Sequence, residues 1–237
     1  MKLLRKTIRN MLLTENIHPK IEGMIQRFEE TNTHADPYEH LEISINIEDG
    51  DFIEVKLLKG GRQRGIIEAV KYNQRCLDAF EVTWAKGRLG LGPLLYDISM
   101  EVASQESTGL MCDRSSVSEA AFDVWDKYLH MRCKVDKAGK CKSPDIEIMQ
   151  LDNERFPVTP QIEDDCRGQS SWNHYKNDVE DEYEVDGIDD QPYKDYWHNE
   201  DPLSKVYIKK RPAVIKRLLP FIKWKTGNLS TSAPGWV

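Results

Sequence analysis

Long apolar runs are missing from these 237 residues. No stretch approaches the ~18 apolar residues that a membrane-spanning helix needs, so a transmembrane protein is not expected. The charged, apolar and small-residue pattern of a secretory leader is also missing from the start, which argues against Sec export. Cysteine is scarce: Cys76, Cys112, Cys133, Cys141 and Cys166 are odd in number and scattered. They suggest no disulfide framework, and no CxxC or Cys/His pair has zinc spacing, so no metal site is expected. A reducing cytoplasm is the compartment this implies. Internal repeats are lacking too. What is present is 39% hydrophobic and 31% charged residues, enough for one core in one large domain or two small ones.

The net charge of −7 conceals three blocks. Residues 1–14 carry Lys2, Arg5, Lys6 and Arg9 and no acid. Residues 176–201 carry eleven acids against two bases, the composition of a solvated linker. Residues 205–225 carry eight bases and no acid. That last block either meets nucleic acid or folds back on the acidic block of its own chain.

Hydrophobic spacing divides the chain. Residues 2–14 have helical spacing, with Leu4, Ile8, Met11 and Leu12 on one face. A second helix opens at Pro19 with Ile21, Met24, Ile25 and Phe28 on its apolar face. Residues 31–37 read as a loop. The period then drops to two at Leu41, Ile43, Ile45 and Ile47, and Asp49-Gly50 turns the chain. Ile53, Val55 and Leu57 return, and Gly60-Gly61 ends that strand. Residues 64–72 suit either strand or helix. Phe80, Val82 and Trp84 alternate as a central strand, and a helix with Leu94, Leu95, Ile98 and Val102 follows a glycine-rich turn. After a short strand at 110–112, Ser116 and Glu119 have capping-box spacing before an apolar face that includes Ala121, Trp125 and Tyr128. Residues 134–145 read as a polar loop and 146–151 as a strand, and 152–200 show no sustained period. A last helix opens at Pro212 and ends near Pro220.

The chemistry sits in strand, glycine turn and helix over residues 79–103. A helix N-terminus offers unpaired N–H groups and a positive dipole end, and glycines let a phosphate approach them. Gly87-Arg88-Leu89-Gly90-Leu91-Gly92-Pro93 therefore either binds a phosphate or simply turns the chain. No Gly-Lys-Ser/Thr follows, so it is not a P-loop. An antiparallel meander precedes it, unlike a dinucleotide-binding βαβ unit.

This order resembles the GNAT N-acetyltransferases, whose strand, R/Q-x-x-G-x-G/A turn and helix take the pyrophosphate of acetyl-CoA. Gly90-Leu91-Gly92 supplies the G-x-G half, Leu94-Leu95 follows it, and Ser118, Ala121 and Trp125 fall where the family often has Asn, Ala and Tyr. The resemblance covers about residues 17–135, its specific part 80–128. It implies an α+β fold with a mixed, mainly antiparallel sheet flanked by helices. It also implies acyl transfer from acetyl-CoA as cosubstrate to an unknown amine. Val82 and Trp84 would receive the pantetheine, and a backbone N–H near Val82 would polarise the acyl carbonyl. Residues Gly87, Arg88, Leu89, Gly90, Leu91, Gly92 and Pro93 would hold the pyrophosphate. Glu81, with Glu54 and Glu68 behind it, would act as base. Three departures stand out: Gly87 occupies the Arg/Gln position, Pro93 follows the last glycine, and Trp125 occupies the position of the proton-donating Tyr. Tyr128, one turn on, is the substitute.

The whole also resembles GNAT-like proteins encoded by tailed bacteriophages. Leu13-Thr14-Glu15 resembles the L-x-E cleavage sites of prohead proteases, so residues 1–16 are either a capsid-targeting helix or an ordinary amphipathic one. The expected organisation is that N-terminal helix, a GNAT-like domain at 17–151, an irregular acidic segment at 152–204, and a basic C-terminal helix and tail at 205–237. Two functions compete: a phage N-acyltransferase of the host cytoplasm or virion, and a non-catalytic virion or host-interaction protein on a degenerate GNAT scaffold. A third is nucleic-acid binding through 205–225. Other virion proteins are possible partners in the second case, and a membrane is a partner in none.

Overall fold

The computed structural model describes residues 17–34, 39–71, 77–113, 117–134, 141–153, 165–166 and 201–226. The expected helix at 2–14, its Leu13-Thr14-Glu15 site and most of the acidic segment lie outside the described residues.

Helix α1 (Pro19–His34) buries the face the sequence marked, Ile21, Met24, Ile25 and Phe28. It runs to His34, past the expected end at Thr31. The reason is local: Thr31 and Thr33 hydroxyls donate to the carbonyls of Arg27 and Glu29, and the Asn32 amide brackets Leu41 by donating to its carbonyl and accepting from its N–H.

Strands β1 (Leu41–Glu48), β2 (Phe52–Lys59), β3 (Arg62–Lys71) and β4 (Phe80–Gly87) form an antiparallel meander. Its register sets Ile43 opposite Leu57, Ile45 opposite Val55, and Val55 opposite Ile67, so one face is apolar across the sheet. The ambiguous stretch is thus strand as far as Lys71, where the described residues break off. Helix α2 (Gly92–Glu106) crosses that face, and β5 (Leu110–Met111) returns parallel to β4. Helix α3 (Glu119–Asp126) continues as a π-helix through Lys127–Cys133. Its cap is Ser118, whose hydroxyl accepts from the Ala121 N–H, and not the expected Ser116, which lies outside the described residues.

Strand β6 (Ile146–Gln150) follows, and two short segments, β7 (Asp152–Asn153) and β8 (Asp165–Cys166), pair in parallel. The expected helix opened by Pro212 is present and ends in a 3-10 turn at Leu219–Phe221, and a strand that the sequence did not mark stands on each side of it. Residues 205–226 give strand β9 (Lys205–Lys209), a short helix α4 (Ala213–Leu218), and strand β10 (Ile222–Thr226). Pro220 forbids further helix, and both strands find edges to pair with. The eight-stranded order is β10-β1-β2-β3-β4-β5-β9-β6, so β9 lies inside the sheet and β10 closes its far edge parallel to β1. The molecule is α+β, with a mixed, mainly antiparallel, curled sheet. No described helix is long and apolar enough to cross a membrane.

Two further expectations change. Cys133 and Cys141 form a disulfide, where the odd, scattered cysteines suggested no disulfide framework. Lys134 in the left-handed region ends the π-helix, and the Lys142 N–H returns to the Cys133 carbonyl at 2.9 Å, bringing the two sulphurs together. The basic block does fold back, but onto acids of the sheet and helices. Arg217 forks onto Glu29 at 2.8 and 3.0 Å, Lys223 pairs with Glu42, and Lys205 and Lys209 are buried.

Candidate functional site: the parting of β4 and β5

Strand β4 pairs with β5 only at Phe80–Leu110 and Glu81–Met111. From Val82 to Gly87 its β5-side edge has no strand beside it among the described residues, and residues 83–87 are exposed. A bulge accompanies the parting. Val82 opposes Ala69 and Trp84 opposes Glu68, so Thr83 falls out of register, its hydroxyl donating to the Glu68 carbonyl at 3.4 Å, and the strand turns there. The gap opens into a cleft of about 230 Å³ lined by Val82, Trp84, Tyr96, Asp113, Ser118 and Trp125. A second cleft of about 210 Å³ continues past Gly87, Gly92, Pro93, Leu95 and Ala121, with Tyr96 on its wall as well.

At the end of β4 the chain makes the predicted turn. Leu89 and Gly90 both take positive φ, 62° and 68°. A Cβ on Gly87 would meet Gly92 Cα at 2.9 Å, so strand end and helix start touch, and only glycine fits there. Helix α2 then starts at Gly92 without a side-chain cap and without an acid in its first turn. Pro93 brings no N–H and the Leu95 N–H donates to the Leu91 carbonyl at 3.2 Å, so Gly92 and Leu94 supply the N–H groups at the positive end of the dipole. Arg88 is exposed in the turn, and Arg27 and Lys59 line a hollow on its other side with Leu89 and Leu91. Val82 and Trp84 line the first cleft and Gly87, Gly92 and Pro93 the second, whereas Leu89 and Leu91 line the hollow on the other side of the turn.

Glu81 and Tyr128 are placed differently. Glu81 stands just before the parting, opposite Val70 and Met111, half-buried and in contact with other groups. Glu54 pairs with Lys56 at 2.5 Å, and Glu68 lies opposite both Glu54 and Trp84. Tyr128 is buried below the cleft, and its hydroxyl donates to Asp97. Burial, then the Asp97 charge, push that phenol well above its ordinary pKa.

Asp97 is the centre of a network the sequence reading missed. It takes the Arg132 guanidinium, with one arm at 3.1 Å, and the Lys209 ammonium at 2.7 Å. Arg132 and Lys209 each reach Asp145 at 2.8 Å, and Ser143 donates to its other oxygen. Burial alone would raise both carboxyls, but Lys209 and Arg132 outweigh it and hold them below the usual range. One turn on, Glu101 accepts the Val214 and Ile215 N–H groups at 2.9 and 2.8 Å, and so caps α4. The available signal was two acids four residues apart in the mostly apolar run from Leu94 to Ala103.

Tyr96 was also missed. Its ring meets Trp125 edge-on at 5.4 Å and 84°, and Trp125 stacks on Tyr207 at 5.1 Å. Burial, with a smaller push from Cys112, raises the Tyr96 phenol to about 12. No protein-family model, no curated protein and no solved structure matches the chain.

Proposed function

We propose that the chain binds an acyl-CoA, acetyl-CoA by default, along β4 and at the start of α2, and transfers the acyl group to an amine. One observation carries this reading: among the described residues β4 loses its neighbour after Glu81 and presents six residues of free edge that lead into a helix N-terminus without a side-chain cap. Six extended residues span ~20 Å. Their N–H and C=O groups suit an arm with amide groups, which would lie along the edge as an added strand does. The N–H groups of Gly92 and Leu94 suit the pyrophosphate, with Arg88 exposed in the adjoining turn for its charge. The bulge at Thr83 turns the strand beside Val82, where a backbone N–H would polarise the acyl carbonyl. These features support a GNAT-like arrangement and leave the acceptor open.

Titration calorimetry with acetyl-CoA and CoA tests the reading. Gly92 has no neighbour within 4 Å of an added Cβ except Gly87 Cα at 4.0 Å, so Gly92→Glu fits without a clash. It also favours the helix start electrostatically, so the variant should stay folded. Its carboxylate would repel the pyrophosphate, and affinity should fall at least about tenfold. A folded wild-type protein that binds neither ligand would overturn the reading.

A second reading has its own support. Trp125 stands at the expected Tyr position, and Tyr128 is committed to Asp97. Both favour a non-catalytic virion or host-interaction protein on the same scaffold. Binding without turnover on any amine would be its outcome. For nucleic acid, Lys205, Lys209, Arg217 and Lys223 are already engaged within the chain, which leaves 205–225 a weaker basic surface than its composition suggests.

A further inference from the structure

The meander segregates its charge. The end at the β1–β2 turn carries Glu48, Asp49 and Asp51. The opposite end, where β2 turns into β3 and β4 runs into its glycine turn, carries Lys59, Arg62, Arg64, Lys86 and Arg88. The register gathers them. Lys59 opposes Arg62, Arg64 falls in the register shift beside Leu57 and Leu58, Ile66 opposes Lys86, and Gly65 opposes Gly87 just before Arg88. Arg27 of α1 joins Lys59 and Leu89 around the hollow beside that turn. Lys59 pairs with Glu39 at 2.9 Å. The other five cations have no ion-pair partner among the described residues, and Arg27, Arg62, Lys86 and Arg88 are exposed. A pyrophosphate at α2 leaves most of this charge unanswered. Like charges held at one corner repel one another, and a polyanion relieves that repulsion.

Trp84 indicates which polyanion fits. It stands two residues before Lys86 on β4 and is 56% exposed, and beyond Glu81 the β5-side edge of that strand has no strand beside it among the described residues. An exposed indole beside lysine and arginine suits unpaired bases, which stack on the ring while their phosphates meet the cations. Bases closed in a duplex offer no such face. Glu68, opposite Trp84, and Glu54, opposite Glu68, bound the surface on the β3 side. We propose that this corner binds single-stranded nucleic acid, with phosphates on Arg62, Arg64, Lys86 and Arg88 and a base on Trp84. It does not rest on the acyl-CoA reading, and it lies apart from residues 205–225. Trp84 and Arg88 are common to both ligands, so the deciding variant lies at Arg62 and Arg64.

The test is fluorescence anisotropy of the full chain with labelled oligo-dT and oligo-rU. One phosphate for each unpaired cation implies an affinity that falls about 100-fold from about 50 to about 200 mM salt. Arg62→Ala with Arg64→Ala removes two of the five charges, so binding should weaken and the salt effect should shrink to about 20-fold. If that double variant is unfolded, Arg62→Ala alone, at an exposed strand end, should shift both readouts in the same direction. Trp84→Ala should weaken both oligonucleotides about tenfold. Tighter binding of one of them supports the surface and tells RNA from DNA. No binding at low salt overturns the proposal, as does binding that ignores salt or that the Arg62 and Arg64 variants leave unchanged. Equal affinity for duplex DNA, or full strength in Trp84→Ala, removes the single strand. Displacement of the oligonucleotides by polyglutamate at equal charge would assign the corner to an acidic protein instead.

Discussion

Asp97 and Glu101 sit one turn apart on α2, fully buried, and face different demands. Asp97 answers two cations. Replacing it by Ala would leave Lys209 and Arg132 with Asp145 alone, a buried positive excess. The expected loss is about 3–5 kcal/mol in urea unfolding, the range for breaking a buried ion pair from one side. Glu101 behaves in the opposite sense. Burial raises its carboxyl from 4.5 to about 8, against the lowering by Lys209 and the two α4 N–H groups. The folded chain then keeps a proton that the unfolded chain has already released, so this group's contribution falls as pH rises from about 4.5 to about 8. Glu101→Gln should flatten that decline, as read from melting temperatures across the same interval. A variant that keeps the wild-type slope would show that Glu101 stays ionised on the α4 N–H groups.

The strand–turn–helix of β4 and α2 stands or falls on a backbone contact. Gly87→Ala would set a methyl 2.9 Å from Gly92 Cα. Backbone cannot swing aside as a side chain does, so a cost of about 1–3 kcal/mol and a weakened acetyl-CoA titration are expected together. This element was the most legible in the sequence. The alternation Phe80-Val82-Trp84, the glycines and the apolar spacing of Leu94, Leu95 and Ile98 each carry a local signal. Strands β1 and β2 were legible for the same reason, whereas β3 was not, since residues 64–72 suit either strand or helix. Strand β9 was not: Lys205 and Lys209 are buried charges in a central strand, and their partners Gln150, Asp97 and Asp145 are distant in sequence. Tyr96 and Tyr128 were equally unreadable as a pair. Spacing puts both on helices, but only tertiary packing decides which hydroxyl is consumed. The cap misassignment has the same root, since Ser116 and Ser118 both precede the helix and backbone angles at Ser118 settle which one serves.

At the scale of the molecule, residues 205–226 reach both flanks of the sheet. Strand β9 fills the place between β5 and β6, and β10 pairs with β1 seven strands from β6. Phe221 meets Phe28 edge-on at 5.4 Å, and Val214, Ile215 and Leu218 complete the core. A chain cut after residue 200 would lack two strands and the Lys209 that neutralises Asp97 and Asp145. It should show no cooperative thermal transition by circular dichroism, whereas full-length chain should show one. A sharp transition in the cut chain would make the C-terminal strands an accessory.

During synthesis the same placement has a cost in time. Strand β5 and the ring of Trp125 leave the ribosome long before Tyr207, their neighbour in the finished sheet, has been made. At ~5–20 residues per second that interval is on the order of ten seconds. Throughout it the nascent chain carries an unpaired β5 edge and an uncovered aromatic cluster, the surfaces that chaperones bind and that neighbouring chains join. Slower translation between Leu110 and Lys205 should therefore lower the soluble yield, and co-expressed chaperone should restore it.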